Sequence, residues 1–261
     1  MTEPNILQQQ SSTCLVFAHR GASAQAMENT RAAFDMAMHY AADGIETDVQ
    51  LSRDEVAVLW HDQFLDKIGL AGQQIDDFDF AQLKTLDFPQ TGDEGILTLK
   101  AFLNDYRQRC RLLIEVKNHD WEPVVRHQIK MRQVADLIGI ASGSRADDRM
   151  LVSSFNLPSL VYAHQRASGI PLVYNIDDHQ TVNDVRQSLH DCAFLYGFCL
   201  PIALLDQHLA ELLRTHNKSI IVYTCNTDNE IDKALRLDVN ILISDVPDKA
   251  LEMRDARLGS T

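Results

Sequence analysis

Residues 219–246 read SIIVYTCNTDNEIDKALRLDVNILISDV, a strand, a helix and a second strand in immediate succession. The two apolar runs, IIVY and ILIS, are almost uninterrupted. Such runs are typical of parallel strands buried on both faces, whereas a half-exposed strand alternates apolar and polar residues. Between the runs, Asp228 and Glu230 begin a segment of helical period. The segment therefore predicts two parallel strands joined by a helix.

The same alternation extends over most of the chain. We predict strands at residues 15–21, 44–52 with an extension through 56–62, 111–117, 149–155, 171–177, 192–200, 219–225 and 240–246. We predict helices at residues 29–42, 98–107, 122–138, 157–168, 184–190, 204–216, 228–237 and 247–257. This alternation predicts an α/β fold, a TIM (β/α)8 barrel with a small insertion after the second strand. A doubly wound open sheet is the alternative, because strand order cannot be read from one sequence.

Residues 63–95 interrupt the alternation with a polar, acidic stretch rich in Gly, Asp and Gln. The stretch is too long for a simple connection inside a compact domain. We expect an insertion subdomain, either a lid over the barrel mouth or a surface excursion. Its large apolar residues would form an exposed rim near the mouth or a small local core: Phe64, Leu65, Phe78 and Phe80. Residues 1–13 are expected to be a flexible leader, and residues 14–261 a single barrel domain.

The chain carries 24 Lys and Arg against 37 Asp and Glu, a formal net charge of −13. Nucleic acids and anionic bilayers bind through clustered Lys and Arg, so an acidic chain without a basic run argues against both partners. A small anionic substrate, attracted by a metal or a few cations in a pocket, fits this composition better. No apolar run approaches the roughly 18 residues needed to span a bilayer, so stable membrane insertion is not expected.

The amino-terminal residues show no pattern of a secretory signal. The five cysteines are scattered and lack the C-x-x-C spacing of a metal or redox site. We interpret them as buried, reduced thiols and expect a cytoplasmic protein. The sequence gives no indication of the oligomeric state.

Ionisable residues lie in or directly after several predicted strands. In a βα barrel such residues point to the mouth formed by the carboxyl ends of the strands, where active sites lie. The two-residue period of a strand places Glu46 and Asp48 on one side, and Glu115 and Lys117 likewise. The residues concerned are His19, Arg20, Glu46, Asp48, His61, Asp62, Glu115 and Lys117.

The three carboxylates would converge on one inward face of the predicted barrel. Buried carboxylates need pairing or coordination, and a hard divalent cation with oxygen ligands satisfies all three. Lys117 would place a positive charge where a phosphate can bind. Each motif alone is weak, because an E-x-D pair is often a solvated strand face and an E-x-K pair a simple salt bridge. Their combination at successive strand ends favours a catalytic site.

The order and spacing of these motifs resemble the signature of the glycerophosphodiester phosphodiesterase family. The matching segments are His19-Arg20-Gly21, Glu28-Asn29-Thr30, residues 44–49, His61-Asp62 and residues 114–117, followed by residues 97–99 and 243–248. The resemblance runs from about residue 16 to residue 248, which is nearly the whole chain.

The resemblance implies a TIM barrel with a small insertion after the second strand, and a role for each motif residue. Glu46, Asp48 and Glu115 would bind one divalent cation, Mg²⁺ or Ca²⁺. His19 and His61 would be the general acid and base, in an order that the sequence does not settle. Arg20 and Lys117 would hold the phosphate oxygens, and Tyr223 would form a pocket wall where the family usually has Trp.

Two further departures from the family pattern affect turns and leave the functional groups in place. Met27 stands where the family usually has Pro. The turn after the second strand, residues 52–55, lacks the usual Gly and ends in Glu55.

The expected reaction is metal-dependent hydrolysis of a glycerophosphodiester to sn-glycerol 3-phosphate and an alcohol. One alternative is a lysophospholipase D-like phosphodiesterase acting on lipid diesters, which would need an exposed apolar rim near the mouth. Another is a non-catalytic barrel that binds glycerophosphodiesters. We interpret the histidines outside the motifs as surface or packing residues; of these, His119 lies closest to Lys117.

Overall fold

A computed structural model describes residues 13–86, 95–139, 149–166 and 169–259. Residues 1–12 of the predicted leader and residues 87–94 of the predicted insertion lie outside the described residues. The division into leader, barrel domain and insertion subdomain therefore stays a prediction.

Eight parallel strands form a closed barrel. The ring closes because β1 (Leu15–His19) pairs with both β2 (Gly44–Leu51) and β9 (Ile241–Ser244), so that Phe17 lies opposite Gly44 on one side and Ile243 on the other. This closure confirms the TIM barrel and excludes the open sheet. The barrel strands are β1 (Leu15–His19), β2 (Gly44–Leu51), β4 (Arg111–Val116), β5 (Met150–Ser154), β6 (Leu172–Asn175), β7 (Gly197–Pro201), β8 (Ser219–Tyr223) and β9 (Ile241–Ser244), and a ninth strand, β3 (Ala57–Leu59), pairs antiparallel with β2.

Helices follow the barrel strands around its outside. Several begin at a residue whose side chain accepts a backbone N–H of the first turn, as Thr30, Asp206 and Thr227 do. None of the described helices is long and apolar enough to cross a membrane. The helices are α1 (Arg31–His39), α2 (Phe80–Leu83), α3 (Leu99–Tyr106), α4 (Val124–Gly139), α5 (Leu157–Arg166), α6 (Val182–Asp191), α7 (Gln207–Thr215), α8 (Asp228–Arg236) and α9 (Pro247–Leu258).

Alternate strand residues divide the apolar side chains between two cores. One core lies between the strands and the helices, and a smaller one fills the barrel with Phe17, Leu113, Ile221 and neighbouring residues. A Cβ at Gly44 would lie 2.5 Å from the Phe17 ring, so the interior packing requires glycine there. This apolar plug leaves the next inward-facing layer, toward the carboxyl ends of the strands, for polar groups. All five cysteines are buried and free.

Two predicted strand boundaries are wrong. The predicted extension of the second strand is the antiparallel strand β3, which lies outside the barrel ring. Residues 192–196 were expected in a strand, but β7 begins only at Gly197. The Cys192 N–H donates to the Ser188 carbonyl at the end of α6, and Cys192 and Leu195 are buried within a turn. A run of apolar residues indicates that a segment is buried. A buried turn and a buried strand can both have such a run, so the run alone does not distinguish them.

The described part of the insertion packs around its own apolar cluster. Val58, Trp60, Leu65, Ile75 and Leu83 are each at most 2% exposed and form its centre. Phe78 and Phe80 are partly buried against this cluster. Leu65, Phe78 and Phe80 therefore belong to the small local core, and the exposed-rim interpretation is wrong for these three; Phe64 is half-buried and is not part of this cluster.

Glu55 occupies the turn position that usually holds glycine. Its φ is 62°, and its N–H donates to the Ser52 carbonyl over 3.1 Å. The left-handed conformation costs a residue with a Cβ about 1 kcal/mol. Glu55→Gly is therefore expected to raise the free energy of unfolding by about 0.5–1 kcal/mol. Denaturant unfolding tests this, with Glu55→Ala as the control that keeps the strained Cβ; an equal gain in both variants would contradict the explanation.

Candidate active site

His19 ends β1 and is held by a carboxylate from the far end of the chain. Its Nδ1 lies 2.6 Å from Asp245 Oδ1, just after β9. Ser23 and Asn226 also donate hydrogen bonds to this carboxylate, over 2.8 and 2.6 Å. Burial raises the pKa of Asp245, but the bonds from His19 and the other donors outweigh burial and hold it below its usual range. An ionised Asp245 favours the proton on Nδ1, and the other ring nitrogen, Nε2, lies 4.0 Å from Glu46 Oε2.

The turn after His19 places the Arg20 guanidinium against the acidic residues. Gly21 has a φ of 85°, and a Cβ there would lie 2.6 Å from Ala33, so only glycine permits this approach of the turn to α1. The Arg20 Nε lies 3.2 Å from Asp48 Oδ2. Its Nη1 donates to Glu28 Oε2 over 3.1 Å, which orients the guanidinium.

Glu46, Asp48 and Glu115 converge as the sequence predicted. Each offers a carboxylate oxygen, and these oxygens lie within 4.8 Å of one another. The β2–β4 register sets Asp48 directly opposite Glu115, and Glu46 and Asp48 are only 3% and 1% exposed. Burial, and then repulsion from the other two carboxylates, raises the pKa of Glu46 well above its usual value. A buried group of like charges at this spacing fits a hard divalent cation.

Hydrogen-bond donors hold two of the three carboxylates in place. Lys117 Nζ lies 3.2 Å from Asp48 Oδ1 and 2.5 Å from Glu115 Oε1. Asn29 donates to Asp48 Oδ2, and Asn175 to Glu115 Oε2, each over 3.1 Å. Burial raises the pKa of Asp48, but Lys117 and the other cations outweigh it and hold that pKa below its usual range. Asp48 is therefore a fixed anion, whereas the Glu46 carboxylate, among the residues that the structure describes, accepts the backbone N–H of Arg20 over 3.1 Å.

His61 follows β3 and has a carboxylate partner of its own. Its Nδ1 is 2.7 Å from Asp62 Oδ1, and Lys67 of the insertion lies 2.9 Å from Asp62 Oδ2. Burial lowers the pKa of His61, which favours the neutral ring. Glu28, His61 and Asp62 also lie close enough to form a second ligand group, but the Lys67 ammonium bonds to both carboxylates.

The predicted site residues share one cavity of about 520 Å³ at the carboxyl ends of the strands. Asp48 does not line the cavity but contacts the lining residues Arg20 and Lys117, and the others line it: His19, Arg20, Glu46, His61, Glu115, Lys117 and Tyr223. Tyr223 forms a wall with Phe155, whose ring stands at 90° to it with centroids 6.1 Å apart. The Tyr223 hydroxyl, which the Trp usual at this position in the family lacks, donates a hydrogen bond to the Ile176 carbonyl over 2.7 Å. This hydroxyl is therefore bonded to the backbone.

The sequence alone did not single out Asp245, Asn175 or Phe155. Each lies at or just after a strand end, so the search that found His19 could have included them. Asp245 also lies in the segment that resembles the last-strand motif. Asn175, and likewise Asn29, carries no charge, and the role of each follows only from the carboxylate that it contacts.

Asp245→Asn is expected to lower kcat at least about a hundredfold with little change in KM, because an amide no longer fixes the proton on His19 Nδ1. Steady-state kinetics on any diester that the protein cleaves provides the test. Asp191→Asn is the matched control, since Asp191 pairs with the Nδ1 of the exposed His190 over 2.8 Å. A kcat within a few-fold of wild type would show that Asp245 does not position His19.

Comparison with known proteins identifies the class to which this barrel and its acidic mouth belong. The sequence model of the glycerophosphoryl diester phosphodiesterase family matches residues 19–249. A glycerophosphodiester phosphodiesterase of Bacillus altitudinis is 30% identical over 253 residues, covering 92% of this chain and 98% of that protein. The chain belongs to the glycerophosphoryl diester phosphodiesterase family.

Solved structures agree with this assignment. A phosphodiesterase of Oleispira antarctica, in complex with its product sn-glycerol-3-phosphate, superimposes with a TM-score of 0.80 at 25% identity, covering 93% of this chain and 97% of that one. The glycerophosphodiester phosphodiesterase of Thermotoga maritima gives a TM-score of 0.74 at 25% identity, with 92% and 98% covered.

Proposed function

We propose that this protein hydrolyses glycerophosphodiesters to sn-glycerol 3-phosphate and an alcohol, with one divalent cation, Mg²⁺ or Ca²⁺, bound by Glu46, Asp48 and Glu115. The observation that carries this proposal is the arrangement of two His–carboxylate pairs and three converging carboxylates around one cavity. The complex of the Oleispira antarctica relative with sn-glycerol-3-phosphate supports the glycerol phosphate half of the substrate.

Arg20 and Lys117 are the cations that face the phosphate. Both are tied to the carboxylate group by ion pairs, so their positions are set before the substrate binds. The bound cation would neutralise negative charge that develops on the nonbridging oxygens. The two side chains hold the diester so that its phosphorus lies between the histidines.

The two histidines divide the proton transfers. One takes the proton from the neighbouring glycerol hydroxyl, which attacks phosphorus and forms a cyclic phosphate. The other donates a proton to the leaving alcohol oxygen, and water then opens the ring. Asp245 and Asp62 fix the two Nδ1 atoms, so both Nε2 atoms are free for this exchange.

A substrate panel coupled to detection of glycerol 3-phosphate tests the proposal. We expect turnover of glycerophosphocholine with Mg²⁺ or Ca²⁺ and loss of turnover with EDTA. Lysophosphatidylcholine is assayed in parallel by release of choline, because its cleavage leaves lysophosphatidic acid and no glycerol 3-phosphate; faster choline release from it than from glycerophosphocholine would indicate the lipid-directed phosphodiesterase instead. Binding of glycerophosphocholine without product, in the presence of either metal, would indicate a non-catalytic binding protein.

We also propose a cytoplasmic location. All five cysteines are buried and free, which suits a reducing compartment. Fractionation of cells that express the tagged protein tests this, and recovery outside the cytoplasm would contradict it.

A further inference from the structure

A second cleft, of about 1170 Å³, opens beside the proposed catalytic cavity. The two spaces share Glu115, Lys117 and Phe155 as a common border. Beyond that border, the cleft is lined by residues that follow β4, β5 and β6, among them Asp120, Trp121 and Asp177. A diester whose phosphate lies at Lys117 can therefore extend one of its two alcohol groups into this cleft.

The cleft presents an aromatic surface. Trp121 is 53% exposed, which is high for a large aromatic side chain. Its indole stacks on His119, with ring centroids 4.0 Å apart and an angle of 11° between the planes. Burial, and then nearby Lys130, lowers the pKa of His119 to about 4, so this ring is neutral at pH 7. Phe155 supplies a second aromatic ring at the shared border.

The charge of the cleft is negative. Beyond the shared Glu115 and Lys117, its charged lining residues are Asp120 and Asp177, both exposed, and no Lys or Arg among the described residues joins them. A negative cleft with exposed aromatic faces attracts a cation both by charge and through the ring quadrupoles. An acyl chain placed there would take the Asp120 and Asp177 carboxylates out of water, which is unfavourable even though His179 Nε2 lies 3.9 Å from Asp177 Oδ1.

The loop that carries Trp121 is fixed from behind by α4. Glu122 accepts the His119 N–H over 3.0 Å and the ammonium of the fully buried Lys130 over 2.6 Å. Lys130 also donates to the Lys117 carbonyl, and His127 Nε2 lies 2.9 Å from the His119 carbonyl. These contacts hold the aromatic stack in one position relative to Lys117, so the cleft is formed before a ligand enters.

We propose that this cleft binds the alcohol group on the other side of the phosphate from the glycerol. The cleft selects diesters in which this alcohol carries a substituted ammonium ion. The inference rests on the proposed function and names the substrate class within it. Trp121 is the principal contact, and Asp120 and Asp177 supply the complementary charge.

Kinetics on a cationic and a neutral diester test this selection. For glycerophosphocholine, Trp121→Ala is expected to lower kcat/KM about tenfold, mainly through KM, while kcat/KM for glycerophosphoglycerol changes little. Trp121→Phe should keep most of the preference, because it retains an aromatic face. The double variant Asp120→Asn with Asp177→Asn should also lower the preference for glycerophosphocholine over glycerophosphoglycerol. The control Glu211→Gln, which removes one exposed charge outside the cleft, should leave this preference unchanged.

The possible failures are distinguishable. If the wild type cleaves both diesters with equal kcat/KM, or if Trp121→Ala slows both equally, the selection is overturned and the proposed function stands. If the wild type cleaves neither diester with Mg²⁺ or Ca²⁺, the proposed function fails and the inference fails with it.

Discussion

Replacing His19 with alanine is expected to lower kcat about a thousandfold, within the range that a lost general acid or base usually costs. The His19 Nε2 faces the carboxylate group from β1, while the Asp245 bond holds the other nitrogen. The alanine methyl group can neither accept nor donate a proton. KM should change far less than kcat, because Arg20 and Lys117 still bind the phosphate.

His190→Ala is the matched control for this experiment. His190 also bonds to a carboxylate through Nδ1, over 2.8 Å, but its side chain is 84% exposed on α6. We expect wild-type kinetics and an unchanged melting temperature from this variant, whereas His19→Ala, which loses its bond to Asp245, should melt at a lower temperature but stay folded at the assay temperature. If His19→Ala retained more than a tenth of the wild-type kcat, His19 would not be one of the two proton-transfer groups.

Two of the three carboxylates, Asp48 and Glu46, are expected to respond differently to neutralisation in metal-free protein. Asp48→Asn removes the anion that Arg20 and Lys117 share, although Arg20 keeps Glu28 and Lys117 keeps Glu115, and should lower the stability by about 1.5–3 kcal/mol. Glu46→Gln removes a repelled carboxylate, since the pKa of Glu46 is raised by burial and by its two neighbours. That variant should therefore be at least as stable as wild type. Both variants should bind a divalent cation much more weakly, because each loses one of three charged ligands.

Thermal unfolding in EDTA, together with calorimetric titration of Mg²⁺ and Ca²⁺, measures both effects. Opposite stability changes with a shared loss of metal affinity would support a carboxylate group arranged for a cation. Equal destabilisation by the two substitutions would show that Glu46 is a structural partner. Unchanged metal affinity in both variants would place the metal elsewhere.

The barrel was predictable because each strand is buried on both faces and therefore reads as a continuous apolar run. The run does not identify a strand's neighbours, so closure through the β1–β2 and β1–β9 pairs came only from the structure. The same limit explains the errors at residues 192–196 and at β3. Apolar composition reports burial, whereas the hydrogen-bond partners decide between a strand, a turn and an antiparallel hairpin.

The cationic and acidic parts of the site were predictable because charged residues in apolar strands need partners. Asp245 was harder to find, since it is 226 residues from His19 and approaches it only because the first and last strands pair. Asn29 and Asn175 act through hydrogen bonds to carboxylates, which composition does not reveal. The hydrogen bond of the Tyr223 hydroxyl was not predictable from sequence, because its acceptor, the Ile176 carbonyl, lies just after a different strand, β6.

Release of glycerol 3-phosphate from glycerophosphocholine, measured while a divalent cation is titrated into metal-stripped protein, tests the central claim most directly. We predict no release without the cation, full activity after one equivalent per chain, and no recovery when Glu46, Asp48 and Glu115 are all changed to their amides. Full activity in the stripped protein, or normal recovery in the triple variant, would contradict the claim.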